Sequence, residues 1–171
     1  MGRQSARRTL RFDSLEDSLA EIRSLHETGY ELVGNWDLSK ACQHLTKTMR
    51  MSIEGAPFNL PFFLKPIARW ILFRSVMAGE PTRLPLKTVR QFLPDDSGMV
   101  IKDMADYELY VNKVMAADAP LLANHPVFGR ITKDEWRRFH AWHAAHHLSF
   151  LLPKSTTSTE SNRSPQVRAV S

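Results

Sequence analysis

Apolar side chains recur along this chain at helical spacing, in runs separated by proline and glycine. Leu15, Leu19, Ile22 and Leu25 predict a first helix that starts at Asp13 or Ser14 and stops at Gly29, with Glu16 and Asp17 in its first turn and His26 near its negative end. After the turn Gly34-Asn35-Trp36-Asp37, the stripe Leu38, Ala41, Cys42, Leu45 and Met49 predicts a second helix from an Asp37 cap to about Glu54-Gly55. Pro57, Pro61 and Pro66 precede a shorter helical stretch over 67–74. The segment from Gly79 to about Ile101 carries Pro81, Pro85, Pro94 and Gly98 and no sustained period; its length fits either a lid or a surface wrap. Met104, Tyr107, Val111, Val114, Met115 and Leu122 predict a helix from about Asp103 to Ala123. Asn124 to Gly129 reads as a turn, and Thr132-Lys133-Asp134-Glu135 is a capping box that opens the last helix. No stretch alternates convincingly as a strand. The expected fold is all-α: four principal amphipathic helices in a bundle, with a crossover connection and a long Pro-rich loop.

Composition divides the chain into a flexible basic leader (1–11), a helical body (12–152) and a disordered tail rich in Ser, Thr, Asn, Pro and Gln (153–171). The leader has four of the 23 basic residues and the tail three more. With Glu160 also removed, the body keeps 16 basic and 17 acidic side chains. A near-neutral body without a basic stripe gives nucleic acid no surface to track. No apolar run is long enough for a membrane span, so no membrane partner is expected. Arg7-Arg8 is followed by Asp13 to Asp17 where an export signal would be apolar, and Cys42 has no second cysteine to pair with; both favour the cytoplasm. Cys42 reads as a small buried hydrophobe.

Four of the seven histidines lie in the last helix. Trp136, His140, His143, His147 and Phe150 share one stripe, with Phe139 and His146 on its flank. Buried imidazoles need partners for their nitrogens, and one metal ion satisfies several at once. His143 and His147, four residues apart, present their rings to one ion. A third ligand must come from elsewhere. Place in the bundle nominates His44 over His26 and His125, although spacing alone turns His44 from the flank of its helix toward solvent. Three neutral imidazoles would leave a divalent ion with its charge and an open position, the pattern of a catalytic site. Asp118 shares the apolar face of its helix, where an acid is able to orient an imidazole N–H or carry a proton; its place before Pro120 points instead to partial exposure.

His44 in the second helix, followed far downstream by His143-Ala144-Ala145-His146-His147 in the last, resembles the DinB-like superfamily of metal-binding four-helix bundles. Gly34-Asn35-Trp36 and the stretch from His125 to Thr132 leading into Trp136 are similar to a bacterial branch of it with no assigned function, over about residues 8–152. The resemblance implies a nickel or zinc ion on His44, His143 and His147. It also implies a low-molecular-weight thiol as cosubstrate and a metal-bound thiolate that attacks an electrophile, as in a thiol-dependent transferase. Many relatives have a glutamine where this chain has Phe150, which removes a polar contact near the metal. His140 and His146 then take supporting roles, His140 behind a ligand or against substrate and His146 toward a neighbouring helix. The competing expectation is a non-catalytic module that binds a small ligand or partner, and a third, weaker one is haem ligation. A homodimer is an allowed assembly.

Overall fold

The computed structural model describes residues 7–80 and 89–154 of the 171-residue chain. The first six residues of the leader, the middle of the Pro-rich segment and the tail beyond Lys154 lie outside the described residues. The rest is mostly helical. Helix α1 spans Asp17–Thr28, later than the expected start at Asp13 or Ser14. The Asp17 carboxylate accepts the backbone N–H groups of Asp13 (3.1 Å) and Ser14 (2.9 Å), which holds those residues in a turn ahead of the helix. The helix ends at Gly29, whose φ of +73° favours a residue without Cβ.

Helix α2 covers Leu38–Glu54, and Asp37 caps it by accepting from the Lys40 N–H at 2.8 Å. The short helical stretch is longer than expected: α3 (Lys65–Ala68) runs through a π-helical turn (Arg69–Phe73) into α4 (Arg74–Met77). Beyond residue 88 the Pro-rich segment forms a short 3-10 turn, Arg90–Phe92, and lies along α2. Lys47 donates to the Leu93 carbonyl (2.7 Å) and Asp95 (3.1 Å), and Gln43 Oε1 accepts from the Asp95 N–H at 2.7 Å. A Cβ at Gly98 would meet the polar ends of the Gln43, Ser39 and Asp103 side chains, which would have to shift to make room.

Helix α5 is Val100–Met115 rather than Asp103 to Ala123. The guanidinium of Arg137 donates to the carbonyls of Val114 (3.2 Å) and Ala116 (2.9 Å), satisfying the helix end from another element. Leu122 is therefore off the helix, its N–H on Ser52 O at 2.9 Å. Helix α6 is Lys133–Leu148 and opens with the expected capping box: Thr132 accepts from Glu135 N–H (3.1 Å) while Glu135 accepts from Thr132 N–H (2.7 Å).

Two small ladders depart from the strand-free expectation. β1 (Tyr30–Leu32) pairs antiparallel with β4 (Leu151–Pro153), and β2 (Asn124–His125) with β3 (Gly129–Arg130) in place of a plain turn. Pro153, assigned to the tail, thus belongs to the body. From Arg7 onward the leader also meets the body, the Arg8 N–H donating to Ser149 O at 3.1 Å.

Two apolar clusters form the core. Ile22, Leu25, Leu45, Met49, Val111 and Leu148 bring α1, α2, α5 and α6 together. Phe73, Val76, Phe92, Phe128, Trp136 and Trp142 form the other, between α6 and the segments around α4 and the β2–β3 hairpin. Helix α6 serves both, which is why it buries His140 and half-buries His143, His146 and His147. No described helix is long and apolar enough to cross a membrane.

Candidate metal centre

His44 is fixed by its neighbours. Its Nδ1–H donates to the Phe92 carbonyl at 2.7 Å, so the 3-10 turn laid over α2 sets the tautomer and leaves the Nε2 lone pair facing inward. Spacing had turned this ring toward solvent. It is instead buried, because Phe92 and Trp36 cover the flank of α2.

His143 and His147 enter from α6. His143 Nδ1 lies 3.4 Å from Thr48 Oγ1, whose own hydrogen goes to Leu45 O at 2.8 Å; toward His143 the hydroxyl therefore accepts. This also commits the His143 proton to Nδ1. The free Nε2 atoms of His44 and His143 then face each other at 3.2 Å, and His147 Nε2 lies 3.0 Å from that of His143. The three ligand atoms fall within 4.8 Å of one another. Two nitrogens on one zinc ion, at 2.0 to 2.1 Å each, stand about 3.3 Å apart in a tetrahedral arrangement. Two of the three pairs already have that separation. Two facing lone pairs have no proton to share, and a cation between them resolves the contact.

Burial, the largest cause for each ring, lowers the pKa of His44, His143 and His147 from the ordinary histidine value. For His143 the neighbouring His147 and His44 lower it further. Neutral imidazoles are the form that binds a metal. Trp36 stacks on His147 at 5.2 Å and 17° and tilts over His44 at 4.8 Å, closing one side. Phe139 stacks on His143 at 5.5 Å. Sequence reading used Trp36 only as part of a motif; its place directly before the Asp37 cap was the available signal that it sits beside the start of α2.

The other candidates separate. His140 is buried, stacked on Trp136 at 5.5 Å and 15°, and burial holds its pKa down to about 3; its Nε2 has no partner among the described residues. Among the described residues, His146 meets no neighbouring helix through its ring nitrogens. Its Nδ1 accepts from Arg7 Nη1 at 3.2 Å, and burial followed by Arg7 brings its pKa down to about 4. Asp118 lies on an exposed turn after α5, because that helix stops at Met115, and it is not part of the group that could hold a metal ion. His26 is exposed. His125 is buried and its Nδ1 accepts the N–H groups of Val127 (3.1 Å) and Phe128 (3.2 Å), pinning the β2–β3 hairpin. Cys42 is buried, its thiol pushed up to about 12 by desolvation, as expected of an inert cysteine.

A cavity of about 260 Å³ adjoins the triad, walled by Met51, Val76, Phe92, Phe128, Phe139 and Trp142, with His44, His125, His143, His146 and His147 also in its lining. Among the described residues, none that lines it is Asp, Glu, Lys or Arg. An ion on the three histidines would thus keep an open position beside apolar space, where a bound water or thiol loses its proton more readily than in bulk.

Residues 4–154 match the family described as a protein of unknown function, DUF1569. The chain belongs to this family. No curated protein and no solved structure matches the chain. The DUF1569 match takes in all seven histidines, Trp36 and Thr48. The family description carries no activity, so the chemistry is argued from the geometry above.

Proposed function

We propose that this DUF1569 protein is a divalent-metal-binding protein of the DinB-like superfamily, its α1, α2, α5 and α6 corresponding to that superfamily's four helices. His44, His143 and His147 hold nickel or zinc, with an open position turned to the cavity. One observation carries the metal assignment: the Nε2 atoms of His44 and His143 face each other at 3.2 Å while the Nδ1 atoms are engaged by Phe92 and Thr48. Metal analysis of protein purified without a histidine tag tests it. About one equivalent of ion is expected, and a near-complete loss in His44→Ala and His143→Ala. Protein that stays metal-free with zinc and nickel added would sink the assignment.

The chemistry we propose is thiol-dependent transfer in the cytoplasm. The site would lower the pKa of a bound low-molecular-weight thiol, and the cavity would hold an uncharged, largely apolar electrophile against it. The described lining of the cavity carries no charge to pair with the charged body of such a thiol, which would stay at the mouth. The same lining favours a second reading, a non-catalytic binder of an apolar small molecule, since its described residues are mostly apolar and offer no carboxylate or lysine for proton transfer. Metal-loaded protein assayed with several thiols and a panel of uncharged electrophiles separates them: turnover supports transfer, whereas saturable binding without turnover supports the module.

A further inference from the structure

The run from α3 to α4 has two faces. Leu72 and Val76 turn inward and wall the cavity. Outward stand Phe62 (83% exposed), Phe63 (62%), Ile67 (53%), Trp70 (75%) and Ile71 (52%). Single exposed apolar side chains are ordinary, but five large ones within ten residues make a patch that marks an interaction surface.

Charge identifies the partner. Between Glu54 and Glu80 the sequence has no acidic residue, while Lys65, Arg69 and Arg74 punctuate the patch. Arg74 is exposed. Arg69 donates to the carbonyl of Arg130 at 3.1 Å, which brings the exposed Arg130 of β3 to the same edge. Glu135, 3.4 Å from Arg69, is the acid that meets this fringe. Aromatic and aliphatic side chains edged by Lys and Arg are the pattern of a segment that lies in a membrane interface. A second copy of this chain fits less well, because a two-fold contact sets Lys65 and Arg74 against basic groups of the other copy.

We propose that this face docks the protein peripherally on an anionic lipid surface. Phe62, Phe63, Ile67, Trp70 and Ile71 enter the boundary between headgroups and acyl chains, and Lys65, Arg74 and Arg130 meet lipid phosphates. The run 65–77 lies flat, being far shorter than the roughly 20 residues a spanning helix needs. Docking sets the wall of the cavity against the bilayer, so an apolar ligand dissolved in lipid has a short route inward. That last consequence rests on the ligand reading above; the docking does not.

The test is cosedimentation of the full chain with vesicles of phosphatidylcholine alone and of phosphatidylcholine mixed with phosphatidylglycerol. Binding is expected to the mixed vesicles, weakening with added salt, and Trp70→Ser and Ile67→Ser should each lower it about tenfold or more. Leu109→Ser, at an exposed position on α5 outside the patch, should leave it unchanged. Circular dichroism confirms that the variants fold. No binding to the mixed vesicles, or equal binding to both kinds, overturns the proposal. So does a dimer in light scattering that both patch variants dissolve while vesicles have no effect, which would assign the face to a second copy. Metal content is measured on the same samples, so a failure here is distinguishable from a failure of the metal assignment.

Discussion

Thr48 decides which nitrogen of His143 is free. Its hydroxyl gives its hydrogen to Leu45 O and so accepts from His143 Nδ1, leaving Nε2 for a metal. Thr48→Val keeps the shape and removes the acceptor, and should weaken metal affinity about 10- to 100-fold, while Thr48→Ser should restore most of it; titration calorimetry with zinc reads both. Two imidazoles outside the triad make a different prediction. His125 and His140 are buried with pKa values pressed down to about 3 by desolvation, whereas in the unfolded chain each titrates near the ordinary 6.5. Unfolding therefore takes up protons once the pH drops below about 6.5, and the stability present above that value is lost as the pH falls toward 3. At about 1.4 kcal/mol per pH unit per histidine, moving from pH 7 to 5 should remove about 4 kcal/mol through these two rings, and more in total because the other buried imidazoles are shifted in the same direction. Urea unfolding at the two pH values checks this; a flat profile would mean that both rings are solvated. At this scale the ligand pair was legible from spacing, whereas His44 was nominated by its place in the bundle and by resemblance, against the solvent-facing orientation that its own helix suggested. His143 and His147 follow from a spacing of four on one helix, a local rule. His44 is buried by Phe92 and Trp36, contacts that a helical wheel of α2 does not contain.

The same division between local and distant causes governs the elements. The start of helix α6 was placed to the residue because it is a reciprocal pair of bonds between Thr132 and Glu135. Thr132→Ala should destabilise the protein by about 1 kcal/mol, read from the urea midpoint, and leave metal content unchanged, since His143 lies about three turns away. Helix α5 was mis-ended because Leu122 continues its apolar period, whereas Arg137 on α6 closes it at the carbonyls of Val114 and Ala116. The β1–β4 ladder was invisible for another reason: three residues per strand are too few to show alternation, and their pairing joins positions far apart in sequence. That ladder ties the chain after α1 to the chain after α6, fixing the two ends of the body to one another.

At the scale of the whole molecule, the two ligand helices enter the site from different parts of the chain, so an ion on the triad would cross-link α2 to α6. Zinc at about one hundred times its dissociation constant should then add about 2.7 kcal/mol of stability, a rise in melting temperature of about 5 to 10 °C, and His44→Ala should show none of it. The cavity beside the triad permits a second, independent reading of the same melt. Its 260 Å³ is larger than the roughly 150 Å³ apolar cavity that accepts benzene. An uncharged bicyclic probe such as naphthalene should therefore bind and raise the melting temperature whether or not metal is present. Val76 is buried on the cavity wall, so Val76→Trp projects its ring into existing space. The variant should keep its equivalent of zinc and the zinc-dependent rise while losing the response to naphthalene. Loss of both responses would mean that the cavity and the triad are packed as one unit. Loss of neither would mean that the probe binds elsewhere, and would remove the apolar cavity from the functional argument.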